Sequence, residues 1–168
     1  MSNTAWLNDG EARAWLAYID LSTLLGDYLD RQLRRDADMS HTTYHLLSLL
    51  SEQPDREARM IDLAQHMKMT LSRLSHAVAK LEEAGWVRRG HNPADKRGRT
   101  VILTDQGFEV LSTAAPGHVE AVRRVVFDQL TPTQIEQFAE IAGSIVQALI
   151  AQEQDAAAVP ADLPWRRR

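Results

Sequence analysis

The residues of this chain with the most chemistry to offer are basic or hydroxyl-bearing, and they crowd into one short stretch. Between positions 68 and 99 stand Lys68, Arg73, Lys80, Arg88, Arg89, Lys96, Arg97 and Arg99 against only Glu82, Glu83 and Asp95. The stretch is therefore positive by five charges in a chain whose net charge is −4, and the remainder carries −9. A sign split of this kind marks a local polyanion-binding surface on an acidic body, although a charge run alone is also compatible with a merely solvated face.

The spacing says what the positive stretch can do. Thr70 is followed by Ser72, Arg73, Ser75, His76 and Lys80, all lying off the apolar positions Leu74, Ala77, Val78 and Leu81 of one helix. Small polar and basic side chains on the outward face of a helix, near its start, suit base edges and phosphates in a major groove. The unpaired N–H groups of a helix start favour a phosphate there as well. Arg88, Lys96, Arg97 and Arg99 form a second basic group around a turn-rich tip, from which an arginine can reach phosphates or an adjacent minor groove. Asp95, two residues before Arg97, is expected to orient that guanidinium rather than meet DNA.

Other chemistries are poorly served. The chain has no cysteine, which removes thiol redox sensing, disulfide staples and cysteine-rich zinc sites, and fits a reducing compartment. Of six histidines, His41 and His45 have the i, i+4 spacing a metal can use. No run of carboxylates stands beside them, so a zinc-responsive regulator is the lesser alternative, and no cofactor is expected. Catalysis would need a nucleophile with its base, a carboxylate pair or a glycine loop that cradles phosphate. Gly85, Gly90 and Gly98 are isolated, and the chain is read as no enzyme. It has no basic-then-apolar leader and no stretch approaching the roughly 18 apolar residues of a membrane span, so no membrane partner and a cytoplasmic location are expected.

The elements that must position these residues can be read from periodicity. In 168 residues, 44% of them apolar and 25% charged, one compact domain is expected. The apolar pattern over 12–33 predicts a long helix buried over much of its circumference. Ser40 is a plausible cap for a second helix, which Pro54 stops, leaving a turn over 54–57. Met60, Leu63, Ala64 and Met67 predict a short third helix. Thr70 caps the fourth, and Gly85 ends it. Alternation over 86–89 and 99–103 predicts two strands joined by the tip at 91–98. Thr104 caps a further helix that should bend at Pro116-Gly117. Thr131 and Gln134 form a capping box for the last helix, with Pro132 in its first turn. The apolar residues of that helix, Ile135, Phe138, Ala142, Ile145 and Leu149, make a 3-4-3-4 seam. Such a seam packs either on a partner helix or inside its own chain. After residue 154 the composition is that of a tail.

The resulting fold class is mainly α with a small β-hairpin wing, a winged helix-turn-helix over 40–104 flanked by helices over 10–36 and 105–152. Met60-Ile-Asp-Leu-Ala, the run from Thr70 through Leu81-Glu-Glu-Ala-Gly-Trp-Val, Asp95-Lys-Arg and Leu103-Thr-Asp-Gln-Gly, spaced as they are, resemble the MarR (multiple antibiotic resistance regulator) family. The match is gapless over about 60–107, and the flanking helices agree in pattern only.

That resemblance implies a homodimer with intertwined terminal helices, a recognition helix in each half-site of a pseudo-palindromic operator in double-stranded DNA, and each wing in a flanking minor groove. It assigns the seam of the last helix to dimerisation. It further implies a repressor released by a small phenolic, aromatic or anionic effector held between the dimerisation helices and the DNA-binding lobe. Trp15, Tyr18, His41, Tyr44 and His45 are the candidates to line that pocket, although aromatics at helical spacing are also what a core contains. The remaining alternative is a winged helix used for protein–protein contact, which would not require the basic wing and polar helix face.

Overall fold

A computed structural model describes residues 6–91 and 99–154. Its elements run α1 (Asp9–Ala37), α2 (His41–Ser51), β1 (Glu57–Arg59), α3 (Met60–His66), α4 (Leu71–Glu83), β2 (Val87–His91), β3 (Arg99–Leu103), α5 (Asp105–Val125) and α6 (Pro132–Gln154). A 3-10 turn precedes β1 and another separates α5 from α6.

Most helix starts are set by hydroxyls. The side chains of Ser40, Thr70 and Thr104 accept from the backbone N–H of Thr43, Arg73 and Gly107 respectively, each satisfying a donor that the first turn leaves open. At α6 the capping box closes in both directions: Gln134 N–H donates to Thr131 Oγ1 and Thr131 N–H to Gln134 Oε1. Asn8 and Glu11 form a second such box, which carries α1 farther toward the N-terminus than its apolar pattern implied. At the other end of α4, Gly85 takes φ +76°, where a side chain would be strained.

The core lies where α2, α3, α4 and the sheet converge. Leu46, Leu47, Leu50, Leu74, Val78, Val87 and Val101 are almost fully buried there, so close-packed apolar side chains fix how α4 sits on its lobe. The sheet has three strands rather than the two expected. β1 pairs antiparallel with β3 (Ala58 opposite Val101), and β3 pairs with β2 (Gly90 opposite Thr100). The stretch read as turn thus extends into an edge strand. Three residues are too few for alternation to show.

α5 runs from Asp105 to Val125 with Pro116 inside it, so the helix continues across the dipeptide as expected, and a Cβ on Gly117 would come only into ordinary contact with Gln32 of α1. One expectation about helices is corrected. α1 is not buried over much of its circumference. Its first buried residue is Leu29, and Trp15, Leu16, Tyr18, Ile19, Leu21 and Leu24 are all exposed. The apolar stripe is real, but no described residue of the chain buries it.

Where α4, the sheet and α5 meet, the chain tolerates no additional atom. A Cβ on Gly107 would fall 2.0 Å from the Trp86 carbonyl oxygen and 2.8 Å from Leu103 Cδ1. A backbone oxygen held by hydrogen bonds cannot give way as a flexible side chain can. Gly107→Ala is expected to destabilise the fold by about 3 kcal/mol, the upper part of the overpacking range, as a shift in the urea unfolding midpoint.

Candidate nucleic-acid interface

The helix-turn-helix is built by α3 and α4. Between them the chain turns within three residues: Met67 N–H donates to Leu63 O, Lys68 N–H to Gln65 O and Met69 N–H to Ala64 O. Lys68 takes φ +51°, an uncommon value for a residue with a side chain, and so reverses the chain without glycine. Thr70 then opens α4. Leu74, Val78 and Leu81 are buried, while Ser72, Arg73, His76 and Lys80 are exposed or half-buried on the outward side, as is Ser75. The division of α4 into a core face and a polar outward face is therefore the one its spacing predicted.

Each flank of α4 is held by a different part of the lobe. On one side Arg89 of β2 donates from Nε to Glu82 Oε2 at 3.0 Å and from Nη2 to Ser75 O at 3.2 Å, while its backbone N–H reaches Glu82 Oε1. β2 and α4 are thereby fastened together. Arg88, the preceding residue of the strand, is exposed, so the Arg88-Arg89 pair divides its labour: one side chain reaches solvent and the other braces α4. Strand alternation was the signal for that division, and Arg89 was not among the sequence-derived site residues.

On the opposite flank, Ser40, Thr42 and Thr43 at the start of α2 share a groove of about 430 Å³ with Arg73, His76 and Lys80. Ser40 was legible in the sequence only as a helix cap and Thr42 and Thr43 not at all, because only the tertiary fold brings them beside α4. Arg99 is exposed at the start of β3. Lys96, Arg97 and Asp95, with the proposed orienting interaction between the last two, lie outside the described residues. Among the described residues no three His, Cys, Asp or Glu side chains converge as a metal ion would require, and no helix is long and apolar enough to cross a membrane.

The same arrangement recurs in known proteins. The sequence profile of the MarR family matches residues 39–98. The transcriptional regulator HosA of Escherichia coli O111:H- is 33% identical over 101 residues, which are 60% of this chain and 73% of its own. Sco3205, a MarR family transcriptional regulator from Streptomyces coelicolor solved in complex with DNA, is 51% identical. It superposes with a TM-score of 0.84 over 99% of this chain and 100% of its own. This chain belongs to the MarR family. A second Streptomyces coelicolor member, AbsC, is 34% identical with a TM-score of 0.82 over 87% of this chain and 98% of its own. As a MarR-family member this chain is a DNA-binding transcriptional regulator, not an enzyme.

The five effector candidates are not brought together within this MarR-family protomer. Trp15 and Tyr18 stack on one another, their ring centroids 5.7 Å apart, and both are more than half exposed. His41 is tied to α1 much farther along, where its N–H donates to Asp30 Oδ1 at 2.9 Å. Tyr18 and Asp30 are more than three helical turns apart, roughly 18 Å at the rise of an α-helix. Hydrogen bonds first from Arg34 and then from the His41 N–H hold the Asp30 carboxyl below the ordinary carboxylate range. His45 shares with His41 a pocket that Lys68 and Arg73 also line.

What His41 and Tyr44 do meet is His118 of α5, a residue absent from the sequence-derived set. Its ring lies 4.3 Å from that of Tyr44 and 5.6 Å from that of His41, and its Nδ1 donates to Gln32 Oε1 at 3.3 Å. Gln32 in turn donates through Nε2 to Asp36 Oδ2, which fixes the amide so that its oxygen faces the histidine. His118 thus joins α1, α2 and α5 at the point where the DNA-binding lobe meets the long helices.

The five seam residues of α6 form no part of the protomer core. Phe138, Ile145 and Leu149 are 44%, 53% and 60% exposed, Ile135 and Ala142 are half-buried, and no described side chain of α6 is buried. Among the described residues nothing buries Phe138, Ile145 or Leu149 within the chain.

Desolvation, and secondarily the charge of His41, push His118 below the ordinary histidine value, so the folded state holds it neutral. A group with a depressed folded pKa contributes stability above its unfolded value and loses it on acidification. The melting temperature should therefore fall as pH drops below about 6.5, the unperturbed histidine value. His118→Gln should make that fall shallower without abolishing it, since His45 is depressed in the same direction. Equal slopes for variant and wild type between pH 7.5 and 5.5 would contradict the assignment.

Proposed function

We propose that the chain is a repressor that binds a pseudo-palindromic operator as a homodimer and is released by a small aromatic or anionic effector. The observation that carries this reading is the contrast between a finished DNA-binding lobe and unfinished long helices. α4 has a buried face and an outward basic one, whereas α1 over its first five turns and α6 throughout leave large apolar side chains in water. Contiguous exposed apolar surface of this kind marks an association site. A second copy of the same chain offers a self-complementary cover, and two-fold symmetry would pair two α4 helices with two half-sites.

The effector reading is supported by the junction around His118. Aromatic faces from Tyr44 and two imidazoles lie there between lobe and long helices, where an occupant would alter their relative setting. Trp15 and Tyr18 belong to that site only if association brings them to it.

The chain's own genomic DNA supplies the test, since fragments recovered by the protein identify the operator and, through neighbouring genes, the effector class. On such an operator Arg97→Ala should weaken binding and lower the slope of log affinity against log salt by about one unit for each phosphate the variant no longer neutralises. An unchanged gel-shift titration would refute the role of the wing. Ile145→Asp should place a charge in the seam and abolish both dimer and DNA binding. A variant still dimeric by light scattering would overturn that part of the reading.

A further inference from the structure

The basic surface of α4 does not end with the helix. Arg73 lines the groove shared with Ser40, Thr42 and Thr43, and it also lines an adjoining pocket of about 310 Å³ with His41, Thr42, His45 and Lys68. Positive and hydroxyl-bearing side chains therefore continue from α4, across the turn that contains Lys68, onto the start of α2. This is the flank opposite Arg89, Glu82 and the sheet.

A duplex imposes its own geometry on that surface. The major groove is about 12 Å wide, and a helix with its side chains measures about 10–12 Å across, so a helix in the groove has a phosphate backbone close on each side. With α4 in the groove, one backbone would run along its sheet flank, where Arg88 is exposed. We infer that Thr42, His45 and Lys68 hold phosphates of the other, clamping the duplex against the wing. This assignment rests on the reading of α4 as the helix that enters the groove.

The charges around the pocket are compatible with that role. Lys68 and Arg73 bring positive charge from the turn and from α4, and His41 and His66 face His45 from α2 and α3. Asp30 is the opposing acid from α1, but its carboxylate is taken up by Arg34 and by the N–H of His41. Because partial burial keeps His45 below the ordinary histidine value, it enters at neutral pH as a hydrogen-bond donor, and the lysine and arginine supply the charge. Interactions of this type position a protein on the duplex without reading its sequence.

The full-length chain can be titrated by fluorescence anisotropy on a recovered operator duplex and on a scrambled duplex of equal length, over a range of salt. Lys68→Gln is expected to lower the salt slope by about one unit on both duplexes while leaving the ratio of the two affinities unchanged. His45→Gln, a change outside the buried core, is expected to weaken both about three- to tenfold, in keeping with one neutral hydrogen bond, with the melting temperature at neutral pH unaltered. Unchanged slope and affinity in both variants, with wild type binding normally, would overturn the second clamp alone. A loss confined to the operator duplex would overturn the phosphate assignment in favour of base readout. Failure of the wild-type chain to bind either duplex would instead remove the reading of α4 on which the inference stands.

Discussion

A knot of backbone and hydroxyl at Thr104 joins the end of α4 to the sheet and to α5. Its Oγ1 accepts from Gly107 N–H to start α5 and donates toward the carbonyls of Gly85 and Trp86, 2.7 and 3.0 Å away, while its own N–H donates to Trp86 O. One residue thus ties the end of α4, the beginning of β2, the end of β3 and the first turn of α5. Gly85 must lack a side chain to reverse the chain there, and Gly107 must lack one for the Trp86 carbonyl to come so near. Glycine, threonine and glycine are required by sterics and hydrogen bonding in this corner, which gives the short motifs on either side of the wing a physical reason to occur together.

From that corner the rest of the lobe follows. Arg89 fastens the sheet to α4, and Arg56 braces the stretch before β1 against α5, donating to Asp105 Oδ1 at 3.1 Å with its guanidinium 3.9 Å from the centre of the Phe108 ring. Sheet, α4 and the start of α5 are thereby tied to one another, and α1, α2 and α5 are joined separately around His118.

The features legible in the sequence were those decided locally. A hydroxyl before an apolar run marks a helix start, a glycine after one marks its end, and the 3.6-residue period separates the core face of α4 from its outer face. These rules located α2 through α6, the polar outward face of α4 and the apolar stripe of α6. What escaped them depends on distant partners. β1 is a strand because β3 lies beside it, and Arg89 is a brace because Ser75 and Glu82 lie within its reach. His118 is buried because Tyr44 and His41 cover it. The stripe on α1 misled in the opposite direction, since periodicity reports that a face is apolar but not which molecule will cover it.

That bare stripe has a consequence for the amount of protein present. If its cover is a second copy, the long helices are completed by a bimolecular step, and the stability of the fold becomes inseparable from protomer concentration. At high dilution the apolar faces of α1 and α6 return to water and the species with two reading heads disappears. Occupancy of a DNA site would then rise with the square of protomer abundance rather than in proportion to it, so that a modest change in synthesis or degradation is amplified into a sharper change in transcription.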